Sequence, residues 1–240
     1  MTGAGRGIGY AFAEALGGAG YNVAIADVQG AEDAAARLRR DGIPCFGLKA
    51  DVASEDDVRA MSAACIDQFG GVDVLVNNAG LFSTLRPFEE ISAEEWMNVM
   101  RVNTLGPFLC AKAVVPSMRL RGGGRIVNIA STVALKGVPG WLHYVASKGA
   151  VIGFTRALAR EIGQCGITVN AIAPGFTLSD GILDKKLHEA VGEGARKASR
   201  SIQRDQIPAD LVGTLLYLAG EGASFVTGQT IVVDGGSIFV

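Results

Sequence analysis

Two periodicities alternate along the chain. Short apolar runs at residues 21–27 (YNVAIAD), 45–49, 72–76, 125–130 (RIVNIA), 167–172 (ITVNAI) and 230–233 have strand length. Amphipathic stretches of helical spacing lie between them. Strands that alternate with helices imply an α/β fold built on a parallel sheet covered on both faces. Ser54 with Asp57, and Ser92 with Glu95, have capping-box spacing, which starts helices near Glu55 and Ala93. Pro116 and Gly122-Gly123-Gly124 should close the second of these. The best-defined helix runs from about 141 to 162, and residues 176–207 read as an irregular, charged insertion before a last helix near 210–218. No linker divides the chain, so residues 1–240 are expected to form one domain.

Composition narrows the function classes. With 49% hydrophobic and 19% charged residues, the 240-residue chain has ample material for a core, which excludes disorder. Lys and Arg number 22 against 24 Asp and Glu, so there is no basic excess for nucleic acid. No apolar run approaches the roughly 20 residues that span a bilayer, and no leader pattern follows Met1. A soluble, cytoplasmic protein without a membrane partner is expected. The four cysteines lack CxxC spacing and nearby histidines, which argues against disulfides and metal. Glycine, at 33 residues, is about twice its usual ~7% and points to tight turns and close backbone approaches.

The first of those approaches is Thr2-Gly3-Ala4-Gly5-Arg6-Gly7-Ile8-Gly9, spaced TGxxxGxG. Glycines let the backbone approach a pyrophosphate, and the N-terminus of the following helix supplies free N–H groups and a positive dipole. Eighteen residues beyond Gly9, Asp27 ends a strand, where a carboxylate accepts hydrogen bonds from an adenosine ribose diol.

This pattern resembles the short-chain dehydrogenase/reductase family, and further matches run through nearly the whole chain. They are Asp51-Val52, Asn77-Asn78-Ala79-Gly80, Asn103, Ser131, Tyr144-Val145-Ala146-Ser147-Lys148 and Pro174-Gly175, in the family's order. The resemblance implies a Rossmann-like, doubly wound parallel sheet. It places Asp51 and Val52 at the adenine and passes the Asn78-Ala79-Gly80 backbone beneath the adenosine. It sets Pro174-Gly175, Thr177 and Ser179 beside the nicotinamide amide, Ser179 standing where the family usually has Thr.

Tyr144 and Lys148, four residues apart on a helix, project from one face. A phenol that titrates near pH ~10 becomes a usable base when an adjacent cation stabilises phenolate. In this reading Tyr144 exchanges the alcohol proton and Ser131 holds the substrate oxygen. Lys148 also binds the nicotinamide ribose, and Asn103 supports a water chain that relays the proton onward. Asp27 repels the 2′-phosphate of NADP and so favours NAD, although Arg6 in the glycine loop could neutralise that phosphate.

Around the reacting carbon the expected positions are apolar: Phe82, Leu135, Val138, Trp141, Phe176, Leu183 and Leu187. Trp141 and Phe176, with Ser131 and Tyr144, are the residues assigned to substrate, expected to be a non-polar or aryl secondary alcohol or its ketone. His143, beside Tyr144, touches substrate or backs a pocket wall. The 176–207 insertion resembles the family's substrate lid.

Two alternatives stand beside the NAD-dependent alcohol dehydrogenase. The 3-oxoacyl-carrier-protein reductases share almost every motif, but they usually prefer NADPH and carry a basic residue where this chain has Cys165. A catalytically silent dinucleotide-binding sensor or scaffold usually loses the Tyr or Lys retained here. The resemblance further implies a homotetramer, with excess apolar faces expected at Val114, Val115, Phe154, Leu158 and Ile162. It also implies a buried apolar strand ahead of the glycine loop. Met1 stands where that strand would end in Val-Thr-Gly, so the first strand is expected to be missing or truncated and the natural protein to begin upstream.

Overall fold

The computed structural model describes residues 1–82 and 84–240. In chain order the elements are α1 (Gly7–Gly18), β1 (Val23–Asp27), α2 (Ala31–Arg40), β2 (Cys45–Lys49), α3 (Glu55–Phe69) and β3 (Val74–Asn77). Then come α4 (Ala93–Met100), α5 (Gly106–Leu120), β4 (Gly124–Ile129), α6 (Val133–Lys136), α7 (Leu142–Ile162) and β5 (Ile167–Pro174). The chain ends with α8 (Asp180–Asp184), α9 (Leu187–Val191), α10 (Glu193–Ala198), α11 (Ala209–Ala219) and β6 (Thr230–Val233).

Every strand pairing is parallel: β1 with β2, and β3-β4-β5-β6 in that order. Alternate residues of the larger sheet face opposite layers. Leu75, Ile126 and Val169 pack among Val58 of α3, Leu109 of α5 and Ile162 of α7. Val76, Val127 and Ile172 pack on the other face against Phe12 of α1 and Leu211 and Leu215 of α11. This is the doubly wound α/β sheet that the alternation of strands and helices predicts.

The predicted first strand is reduced to Met1 and Thr2, which bridge β1 and β3. The Ala26 N–H donates to the Met1 carbonyl at 2.9 Å, and the Thr2 N–H donates to that of Val76 at 3.1 Å. Beyond Met1 the two strands do not pair, and a cavity of about 100 Å³ lies between them, lined by Val23, Ile25, Val72 and Val74 among others.

Other expectations are corrected. Helices α3 and α4 begin where the serines predict, and the Ser54 and Ser92 hydroxyls accept the Asp57 and Glu95 N–H groups at 3.3 and 3.1 Å. Pro116, however, does not close a helix: it lies inside α5, which ends at the glycine run. The irregular insertion contains the short helices α8, α9 and α10. Three of the five apolar residues expected at subunit contacts already serve the subunit's own core, and the other two are half-buried. Val114, Val115 and Ile162 are buried, and Phe154 and Leu158 pack against the same core. On α4, α5 and the turn between them, Met97, Leu105, Phe108 and Leu120 are the exposed large apolar side chains among the described residues. Among the described residues no helix is long and apolar enough to cross a membrane.

Candidate active site

The glycine loop fits between strands because a Cβ would clash at several of its positions. Gly3 has φ +62°, and a Cβ there would fall 2.6 Å from the Ala79 Cα. At Gly9 a Cβ would lie 2.2 Å from the Gly3 carbonyl oxygen. Thr2 and Asn78 then fasten the loop to the end of β3. The Thr2 hydroxyl accepts the Asn78 and Ala79 N–H groups at 3.1 and 3.2 Å, and the Asn78 carboxamide donates to the Thr2 and Gly3 carbonyls at 3.1 and 2.6 Å.

Asp27 caps β1 beside this loop. Its carboxylate accepts the Gly5 N–H at 2.9 Å and the Gln29 N–H at 3.1 Å, which leaves further acceptor capacity on each oxygen. Gly5 must be glycine here, since a Cβ would meet the Gln29 carbonyl at 2.4 Å. Asp180 of α8 accepts the Gly7 N–H, the first amide of α1, at 2.8 Å, and Asp184 pairs with Arg6. Two carboxylates of the insertion therefore rest on the anion-attracting start of α1.

At the other end of the same cavity, Ser131 follows β4 while Tyr144 and Lys148 project from α7. The Ser131 hydroxyl hydrogen-bonds the Tyr144 phenol. The Lys148 ammonium lies 5.7 Å from the phenol ring centroid and donates to the Ile129 carbonyl at 2.6 Å. Phe82 and Trp141 meet the Tyr144 ring edge-on at 6.2 and 6.4 Å. Burial pushes the phenol up to about 12 despite the Ser131 hydrogen bond. Burial moves Lys148 the opposite way, to about 8, because each group resists its charged form.

Asn103 stands on a π-helical turn, Arg101–Leu105, between α4 and α5. Its carboxamide oxygen accepts the Leu81 N–H at 2.7 Å, and its nitrogen donates to the Leu81 carbonyl and the Ser147 hydroxyl, each at 2.9 Å. The side chain is thus consumed in holding the 81–82 segment to α7. It stands behind the cavity lining, where its oxygen and the Lys148 ammonium lie 3.4 and 3.5 Å from the position that a Gly80 Cβ would take.

All the other residues assigned to catalysis, cofactor or substrate line one cavity of about 690 Å³, at the carboxyl ends of the strands. This volume falls within the range of ligand pockets. Of the apolar positions, Phe82, Val138, Trp141 and Phe176 line it. Leu135 and Leu183 instead point to solvent, and Leu187 is buried outside the lining. Helical phase displaces them: Val133 and Ile182, each at a different angle on its short helix, take those places. His143 does not line the cavity; it is fully buried with Nε2 3.3 Å from a Glu95 carboxylate oxygen. Sequence reasoning missed Asp180 and Arg200. Asp180 follows Ser179 directly, and that adjacency was the available signal.

Comparison with known proteins now decides the family. The model described as enoyl-(acyl carrier protein) reductase matches residues 3–237. The 3-oxoacyl-[acyl-carrier-protein] reductase FabG of Staphylococcus aureus is 38% identical over 98% of this chain and 96% of its own length. The chain belongs to the short-chain dehydrogenase/reductase family. The short-chain reductase protein NovJ of Streptomyces niveus is 40% identical, over 98% of this chain and 92% of its own. Among solved structures, one described as an NAD(P)-dependent gluconate 5-dehydrogenase from Beutenbergia cavernae, with NADP at low occupancy, has TM-score 0.91 and 34% identity over 98% of this chain and 94% of that one. A short-chain dehydrogenase/reductase from Mycobacterium marinum has TM-score 0.92 and 32% identity over 100% and 94%. This short-chain dehydrogenase/reductase is accordingly an oxidoreductase that uses a nicotinamide cofactor. A dinucleotide fits its cavity, since the close-packed glycine loop, the Asp27 carboxylate and the Ser131-Tyr144 pair border one continuous space.

Proposed function

We propose that this protein moves hydride between a secondary alcohol or ketone and NAD, with Tyr144 as the acid/base. The observation that carries the reading is the convergence of Ser131, Tyr144 and Lys148 at one end of a cavity whose other end holds Asp27. When bound, the nicotinamide supplies or accepts hydride, and its oxidised ring carries positive charge.

The protein's own residues do the rest. A phenol held up at about 12 is protonated at neutral pH, so Tyr144 is a ready donor to the oxygen of a ketone as it becomes an alcohol. Ser131, already bonded to the phenol, positions that oxygen. In the oxidative direction Tyr144 must take a proton. The charge of Lys148 favours its phenolate, and more so in a site walled by Phe82 and Trp141 than in water.

Asp27 supports NAD over NADP. Its carboxylate accepts ribose hydroxyls and repels an added phosphate, while Arg6, the nearest basic residue of the loop, is engaged by Asp184. The NADPH-dependent carrier-protein reductase remains the second reading, favoured by the FabG relatives and the NADP-bound neighbour. Steady-state kinetics with NADH and NADPH decides between them. The wild type is expected to show the higher kcat/KM with NADH, and Asp27→Ser to narrow or reverse the preference. A wild type that prefers NADPH would sink this assignment and promote Arg6.

A further inference from the structure

Residues 196–210 contain three arginines, Arg196, Arg200 and Arg204, and two carboxylates, Asp205 and Asp210. Arg196 makes a bidentate pair with Asp205, at 2.8 and 3.0 Å, and Arg204 makes one with Asp210. Arg200 lies between them in sequence and has no carboxylate within ion-pair distance among the described residues. Yet it is 5% exposed and lines the main cavity.

The field of Arg200 reaches Asp205 and Asp210, but each of these carboxylates is already paired with another arginine, so three cations share two anions and the direct partners of Arg200 are neutral. One terminal nitrogen faces the Arg204 carbonyl at 3.4 Å, the other the Phe176 carbonyl at 3.3 Å, both long, and Nε is buried without a partner. The nearby Asp234 spends its carboxylate on the N–H groups of Gly236, Ser237 and Ile238. A guanidinium taken out of water without an anion is strongly unfavourable, and its planar fork matches a carboxylate. Lys136 lines the same cavity and hydrogen-bonds Ser237, which adds a second positive charge at this end.

We propose that Arg200 anchors a carboxylate on the substrate, so that keto acids and hydroxy acids are preferred to neutral ketones and alcohols. One uncompensated buried cation calls for a monoanion, and the apolar walls at Val133, Val138 and Phe176 suit the carbon skeleton between that anion and the reacting carbonyl. This rests on the oxidoreductase reading above and names the substrate class of that site.

The experiment compares keto acids with their neutral esters: levulinate and para-acetylbenzoate against their methyl esters, each with NADH and with NADPH. The expected kcat/KM for acid exceeds that for ester by roughly ten- to a hundredfold, carried mostly by KM, as one charged hydrogen bond supplies. In Arg200→Gln the acid-to-ester ratio collapses towards one, and in Arg200→Lys, which keeps the charge without the fork, part of it survives. A structural arginine would lower acid and ester alike and leave the ratio in place. That result, or a wild-type ratio of one, overturns the proposal while leaving the carbonyl-reductase reading intact. Should none of the four compounds turn over, that reading loses its support and calorimetric binding of para-acetylbenzoate decides the anchor alone. Binding lost in Arg200→Gln sustains it, and equal binding refutes it. If Arg200→Gln fails to fold, Arg200→Lys carries the test: a reduced acid-to-ester ratio sustains the proposal, and the wild-type ratio overturns it.

Discussion

Lys148 is buried at a cost to the fold, and replacing it with methionine measures that cost. Burial lowers its ammonium from 10.5 to about 8. At about 1.4 kcal/mol per pH unit, this fall corresponds to about 3 kcal/mol of destabilisation when both folded and unfolded chains carry the proton, below about pH 8. Between about pH 8 and 10.5 the unfolded chain keeps a proton that the folded chain has released. Unfolding then takes up a proton, so this contribution makes the wild type more stable as pH rises through the window. Lys148→Met lacks the titration. It also lacks the hydrogen bond to the Ile129 carbonyl, worth about 1.5–3 kcal/mol for a charged donor, so its net advantage at neutral pH is about 1 kcal/mol. The advantage should shrink and reverse by about pH 10, a swing of about 2–3 kcal/mol. Tyr144, raised to about 12, loses stability with rising pH only above its ordinary 10, and it does so in both proteins, so it cancels in the difference. Urea unfolding followed by the fluorescence of Trp96 and Trp141 at several pH values provides the comparison. A stability difference that stays flat across the window would refute the reasoning, whatever its sign at neutral pH.

Two further outcomes follow from the site. Tyr144→Phe should keep the fold and bind NADH, with kcat/KM reduced by about 10²–10⁴, the usual share of a positioned acid/base; activity within a few-fold of wild type would remove Tyr144 from that role. Asp180→Asn should bind NADH about two- to tenfold more tightly in a fluorescence titration, because the carboxylate on the Gly7 N–H competes for an amide that attracts phosphate. Unchanged affinity would show that the contact does not compete.

What could be read from the sequence was what local chemistry dictates. Ser54 and Ser92 announced helix starts because a hydroxyl satisfies amides three residues on, within one turn. The glycine loop, Asp27 and the Tyr144-Lys148 pair were legible because motif spacing fixes which residues share a turn or a helix face. Pro116 misled because a proline's missing N–H and ring clash cost little enough inside α5 for tertiary packing of that helix to override them. Val114, Val115 and Ile162 misled because sequence shows that a face is apolar but not which layer covers it; the sheet does. Arg200 lay beyond reach for the same reason. Glu193, Asp205 and Asp210 are close enough in sequence to serve all three arginines, and only the fold assigns Asp205 to Arg196 and Asp210 to Arg204.

The cavity is walled by segments far apart in the chain. Asp27 ends β1 and Asp51 follows β2, while Ser131, Tyr144 and Pro174 belong to the β4, α7 and β5 region. A ligand that touches both walls is bound by the folded chain alone and raises its stability by about 2.7 kcal/mol at a hundred times its dissociation constant. A dinucleotide that fits this cavity therefore doubles as a staple between elements that the sequence holds apart.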